Sequence, residues 1–460
     1  MTGKRIEARH REPSQWWADA AGALAIGSLV VVVALWLHGA GLQAVLHGGS
    51  DAVTSVGRVT GLVAADLLLL QVLLMARLPW VERCFGQDRL VRWHRGAGLW
   101  SFWLILAHVG LITVGYAGSA HTGVIGQVWT LTVDYPGMLL AVAGTMLLLA
   151  VVGLSIRAAR RRLRYESWHL LHLYAYLGIG LALPHQLWTG AEFTGSAAAR
   201  TYWWAAYGIC AGSLVVFRIC LPLWRSWRHR LRVSQVVWEA PGVFSVYLSG
   251  RDLHRLTVRA GQFFHWRFLT SAGWTRAHPY SLSAMPRPDE LRITVRAAGD
   301  DADRIARARP GTRVLIEGPY GRLTGTVRNR RGILLLAAGI GITPMRALLE
   351  ALPYRPGEAA LAYRANTFED FALRAELDAI ARRRGAAVHY LDGPPPRHLS
   401  WLPVSLAYLS DREMLHRIAP DVSRRDVYVC GPPPWMRAIR LALAEARVPA
   451  DQIHSEDFGW

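Results

Sequence analysis

Six long apolar runs, at about 19–38, 58–78, 96–116, 136–156, 166–187 and 202–222, fill the first half of the chain, with polar intervals between them. Each is near the ~20 residues that a helix needs to cross a bilayer. Beyond residue 228 the texture changes. Val243-Phe-Ser-Val-Tyr-Leu and Leu291-Arg-Ile-Thr-Val alternate as half-buried strands do, and from about residue 331 strand-like runs alternate with helical ones. The pattern predicts a membrane all-α six-helix bundle over 19–224, an antiparallel β-barrel over 228–326 and an α/β, Rossmann-like domain over 331–460. Residues 1–18 read as a basic cytoplasmic tail.

Charge in the intervals orients the bundle. Arg83, Arg89, Arg92 and Arg95 lie in one interval and Arg157, Arg160, Arg161, Arg162 and Arg164 in another, whereas 39–57 and 117–135 carry no Lys or Arg. The positive-inside rule then puts both termini in the cytoplasm, and predicts a multi-pass protein of the plasma (inner) membrane with its second half cytoplasmic. The first apolar run is long and has no small-residue cleavage pattern behind it, so it reads as an anchor in lipid.

Histidines interrupt this apolar background. His94 and His108 share the third run, ~21 Å apart along a helix and only ~40° apart around it. The fifth run carries His169, His172 and His185. An ionisable side chain within a span is costly and marks function by default. Four imidazoles in two layers on facing helices suit two haems: His94 with His172 on the inner side, His108 with His185 on the outer. An ideal helix turns His172 and His185 ~140° apart, a mismatch that a kink at Pro184 could relieve. His169 as the inner ligand gives ~160° and stands in reserve. Ligation from both sides leaves no open iron position, which favours electron transfer. Asp66 and Gln71 are also polar at membrane depth, serving a ligand histidine, a proton path or helix packing. Arg77, Arg92 and Arg95 fit topology first and haem propionates second.

Composition adds exclusions. The net charge of +19 comes from 52 Lys plus Arg against 33 Asp plus Glu, and its place in inter-span loops argues against nucleic acid as a partner. Cys84, Cys210, Cys220 and Cys430 have no zinc or iron–sulfur spacing. No calcium-binding loop pattern occurs.

In the second half, His278-Pro279-Tyr280-Ser281-Leu-Ser283 presents an aromatic ring and hydroxyls on one strand, as a flavin would need, and Gly318-Pro-Tyr-Gly321 follows. Ile333 to Pro344 reads as a buried strand, a glycine turn and a helix start. Gly339 and Gly341 would let a phosphate approach the backbone. Arg364 follows a second strand, where it could meet a 2′-phosphate. Cys430-Gly431-Pro432 ends a further buried strand.

These blocks together resemble the ferric reductase and NADPH oxidase superfamily, a haem-bearing membrane domain fused to a ferredoxin–NADP reductase-like module. The resemblance implies FAD, two haem b and NADPH (or NADH) as cofactors. It places Tyr280 and Ser281 on the flavin and His278 at the FAD pyrophosphate. Gly339, Gly341, Thr343 and Pro344 would border NADPH, Cys430 would lie near the nicotinamide, and Phe458 or Trp460 would cover the flavin ring. Ala302 departs from the pattern, since relatives offer a hydroxyl there; Gly299 and Arg304 are the nearby substitutes. The expected activity is electron transfer from cytosolic NAD(P)H to a small-molecule acceptor outside, oxygen or ferric chelate. The alternatives are an electron-donating subunit whose acceptor is a partner protein, and a transporter with a proton path through Asp66.

Overall fold

The structure, a computed structural model, describes residues 15–156, 165–270 and 276–456. It divides into two compact units, one of Gln15–Val81 with Arg89–Arg218, the other containing Glu82–Asp88 and Ile219 onward.

The first unit holds six long helices: α1 (Gln15–His38), α2 (Gly49–Met75), α3 (Gln87–Ala120), α4 (Met138–Ser155), α5 (Tyr165–Thr189) and α6 (Ala197–Leu214). Among the described residues, five are long and apolar enough to cross a membrane. The exception is α5, 25 residues long, which carries His169, His172 and His185 and has Pro184 inside it. All six predicted helices form, but apolarity marks only five of them as spans. Their large apolar side chains face outward: Leu139, Leu170 and Trp100 are each more than 60% exposed. In water such a surface would be a liability, and in lipid it is solvated.

Small residues set the helix contacts. A Cβ at Gly144 of α4 would stand 2.5 Å from the Gly178 carbonyl of α5, so these backbones touch as membrane helices with small residues do. Between α1, α2 and α6 lies a core of Val32, Leu69, Val72, Trp203 and Cys210. Asp66, almost fully buried, accepts hydrogen bonds there from Ser28 and Tyr202 and does not touch a candidate ligand histidine.

The second unit has two parts. Strands β1 (Arg232–Ala240), β2 (Val243–Ser249) and β5 (Glu290–Arg296) form one antiparallel sheet. Strands β3 (Phe263–Phe268), β4 (His278–Ser281) and β6 (Val314–Tyr320) form another. Isolated bridges join them, Arg232 to Arg313 at one seam and Leu282 to Ile293 at the other, with backbone hydrogen bonds such as Val314 N–H to the Leu231 carbonyl and Ser283 N–H to the Arg292 carbonyl beside them. The predicted closed barrel is therefore corrected to two three-stranded sheets around a shared core of Phe244, Val246, Phe264, Trp266 and Ile293.

The rest is a five-stranded sheet of β7 (Gly332–Ala338), β8 (Ala359–Ala365), β9 (Ala387–Asp392), β10 (Arg425–Cys430) and β11 (Ile453–Ser455), in the order β11-β10-β7-β8-β9 with every pairing parallel. Its apolar runs are buried on both faces, as a parallel sheet requires. The strand order reverses between β7 and β10, and open α/β sheets bind ligands outside the strand ends at such a switch point.

Candidate electron-transfer site

The ring centres of His94 and His172 stand 6.0 Å apart. An imidazole nitrogen bonds a metal at about 2 Å, so two rings clasping one ion from opposite sides have centres about 6 Å apart. His94 Nδ1 lies 3.1 Å from the Gln71 carbonyl, and His108 Nδ1 lies 2.7 Å from the Gly57 carbonyl. A carbonyl can only accept, so Nδ1 carries the proton in both rings and Nε2 is left with its lone pair for a metal. Fourteen residues separate His94 from His108, and fourteen separate Gly57 from Gln71. Two helices are thus tied together at both layers by the same interval.

On α5, His172 Nδ1 lies 3.3 Å from Ser155 Oγ, and its ring stacks on Trp168 at 5.2 Å. His169 instead has Arg77 and Arg218 as charged neighbours, so His172 is the ring brought to His94. His185 is near enough to His108 for their charges to interact, and its buried Nδ1 makes no hydrogen bond of ordinary geometry. Among the described residues no three His, Cys, Asp or Glu side chains gather as a metal cluster. A metal between these paired rings would need equatorial ligands that the protein does not provide, which a porphyrin does. The residues fit haem.

The flavin strand is held firmly. Trp266 Nε1 donates to the Tyr280 carbonyl at 2.8 Å, and the Tyr280 ring stacks on His278 at 5.9 Å. Pro279 pairs with His265 in the ladder, and Ser281 is buried beside Phe263. Gly318 lies against the Phe264 ring, where a Cβ would meet it at 2.8 Å. Ser283 is buried, and Arg292 donates to its hydroxyl at 3.1 Å and to its carbonyl at 2.9 Å. Near the predicted pyrophosphate position, Gly299 precedes α7 (Asp300–Ala306). There the Asp301 carboxylate takes Arg276 at 2.8 Å, Arg304 at 2.6 Å and His278 at 3.6 Å. Burial alone would raise Asp301, but Arg276, His278 and Arg304 outweigh it and hold the carboxyl below its usual range. Arg276 and Asp301 escaped the sequence reading, although an arginine two residues before His278 was the available signal. This cluster of cations fits a diphosphate.

At the switch point, Gly339 (φ 55°) leads into α8 (Ile342–Ala351) and has open space where a side chain would project. A Cβ on Gly341 would stand 2.2 Å from the Cys430 carbonyl, so only glycine lets the two turns meet. Thr343 Oγ1 donates to the Ile340 carbonyl at 3.1 Å, Pro344 is buried in the first turn of α8, and Cys430 is buried. Gly431 and Pro432 then open into α10 (Pro433–Glu445); α9 (Arg374–Arg384) lies earlier in the same domain. Arg364 is buried at the end of β8 with its guanidinium on the Ala365 carbonyl. Phe458 and Trp460 lie outside the described residues.

The family described as "Ferric reductase like transmembrane component" matches residues 60–183, and the one described as "Oxidoreductase NAD-binding domain" matches residues 335–441. One segment of the chain is thus similar to ferric reductase-like transmembrane components and another to oxidoreductase NAD-binding domains. The ferric reductase-like match spans His94, His108, His169 and His172, and the oxidoreductase match spans the Gly339–Gly341 turn, Arg364 and Cys430. The ferredoxin reductase component of 3-ketosteroid-9-alpha-monooxygenase from Mycobacterium tuberculosis is 34% identical over 246 residues, 50% of this chain and 64% of that protein. This ferric reductase-like chain therefore spans less than two thirds of that relative's length. A flavohemoprotein of Bordetella pertussis is 28% identical over 323 residues, 63% of this chain and 79% of that one. Among solved structures, the FAD/NAD binding domain of nitric oxide dioxygenase from Vibrio cholerae is similar at 24% identity with a TM-score of 0.41, covering 50% of this chain and 99% of that one.

Proposed function

We propose that the chain is a transmembrane oxidoreductase carrying electrons from cytosolic NAD(P)H, through FAD and two bis-histidine b-type haems, to oxygen or a ferric chelate outside. The observation that carries this reading is the His94–His172 pair, 6.0 Å between ring centres, on the chain that also bears the NAD-binding fold. Flavin, when bound, would accept the nicotinamide's two electrons together and release them singly, as haem requires.

The chain's own residues divide the work. Gly339 and Gly341 bring bare backbone to the nucleotide phosphates, while Tyr280 and Ser281 sit on a strand that Trp266 locks in place. Arg276 and Arg304 supply cations for the FAD diphosphate beside the motif histidine, His278. Gly57 and Gln71 aim the α3 imidazoles, and the arginine-rich intervals keep the reductase module in the cytoplasm. The membrane is the plasma (inner) membrane, and lipid is its surrounding partner.

The test is a visible spectrum of the detergent-solubilised protein before and after NADPH. Two haems and one flavin per chain, all reduced by NADPH, are expected. Absence of haem absorbance overturns the proposal. Reoxidation by oxygen or by ferric citrate then separates the two acceptors, and reoxidation by neither points to a partner protein.

A further inference from the structure

Two separately folded parts must bring a nicotinamide and a flavin together, and packing alone does not join them everywhere. A cavity of about 330 Å³ opens between them, lined by Tyr247, Met285 and Arg287 from one part and by Glu350, Glu376 and Arg383 from the other. Charged side chains bridge it. Arg292 of β5 holds Ser283, just past the flavin strand, and reaches across to both oxygens of Glu376 in α9, at 2.6 and 2.9 Å. Arg346 of α8 meets Glu376 at 2.8 Å and also pairs with Glu350. Glu350 Oε2 then accepts the Met285 amide at 2.9 Å. Ser283 and Met285 are two residues apart, so the path is a closed ring that starts and ends in the turn after the flavin strand.

We propose that Glu376 and Glu350 are positioning residues for hydride transfer, with Arg292 and Arg346 as their partners. The ring ties the turn after Tyr280 and Ser281 to α8, the helix that begins at the nucleotide turn. This rests on the reading of the reductase half as an FAD- and NAD(P)H-binding module. In that reaction two electrons and one hydrogen nucleus leave the nicotinamide together and arrive on the flavin, which needs reacting atoms about 3–3.5 Å apart. A misplacement of about 1 Å can cost on the order of a hundredfold in rate. The Arg292 and Arg346 side chains are 5% and 8% exposed, against 18% for Glu350 and 32% for Glu376, so the guanidinium side of the ring is shielded from solvent and the two-point Arg292 fork is directional.

Stopped-flow reduction of the flavin by NADPH in the full-length, FAD-loaded protein tests this. Glu376→Gln is expected to slow flavin reduction by about tenfold or more while FAD content and the NADP⁺ dissociation constant stay within about twofold. Glu350→Gln opens the ring at its other end and is expected to do the same. The double variant should be no slower than either single one by more than about twofold, since a ring already open cannot be opened again. Glu376→Asp should recover part of the rate. An unchanged rate in both single variants, or a loss of rate matched by loss of FAD or NADP⁺ binding, overturns the proposal. If the unaltered protein binds FAD yet NADPH does not reduce it, the parent reading fails first, and the variants are not what decides it.

Discussion

A Cβ at residue 61 would stand 2.4 Å from His108 Nδ1, where the imidazole is already tied to the Gly57 carbonyl. Gly61→Val should therefore turn that ring and remove the outer haem, halving haem absorbance per chain while NADPH still reduces the flavin. Gly27→Ala, where a side chain meets nothing within 4 Å, should leave haem content unchanged. Asp301 offers a pH test. Its carboxyl is held below the ordinary value of about 3.9, so the unfolded chain binds the proton more readily than the folded one. Its contribution to stability is thus present above that ordinary value and lost as pH falls through the lowered one. Asp301→Asn should flatten the acid limb of the unfolding midpoint against pH and leave the neutral region less stable. At this scale His94 and His108 were legible as a same-face pair in one apolar run, whereas His172 and His185 stood ~140° apart on an ideal helix and their angle alone did not pair them. The Gly57 and Gln71 carbonyls were not legible, because every residue has a carbonyl and residue type carries no sign of which one is used.

Among the helices, the contact of α4 with α5 through Gly144 and Gly178 is the most sensitive to added bulk. Gly144→Leu should force the pair apart and cost about 1–3 kcal/mol, read as a lower unfolding midpoint in detergent together with loss of haem as α5 is displaced. The six helices were legible from hydropathy runs alone, and α5 shows why that signal has limits. Its histidines, the residues with chemistry to do, are what lower its apolar character. The β-rich part was legible as strands but not as to closure, since alternation in Val243–Ser249 or Glu290–Arg296 says which face is buried and nothing about whether the last ladder is completed. The glycine turn after β7 was legible in full, but the reason for Gly341 was not. It is contact with Cys430, nearly ninety residues later in the chain.

At the scale of the molecule, the choice of nicotinamide depends on whether Arg364 can leave the Ala365 carbonyl. Arg364→Ala should cut the preference for NADPH over NADH by about tenfold, the worth of one charge-assisted contact, measured as the ratio of flavin-reduction rates with the two donors. An unchanged ratio retires Arg364 as the 2′-phosphate ligand. The four charges that join the reductase parts come from residues 292, 346, 350 and 376; Arg346 and Glu350 are four apart on one helix, but no local pattern links that pair to Arg292 or Glu376. They become one feature only after two separate sheets have folded.

The paired tethers between α2 and α3 work as a ruler. Because His94 and His108 are each fastened to the same neighbouring helix at equal intervals, sliding that helix lengthways would break both fastenings at once, and tilting the pair moves both imidazoles together. On the proposed electron path, the gap between the layers is then a property of two clamped backbones, insensitive to how thick the surrounding lipid happens to be. One alanine inserted between Gly57 and Gln71 would put the two marks out of step, leaving one imidazole aimed and the other loose.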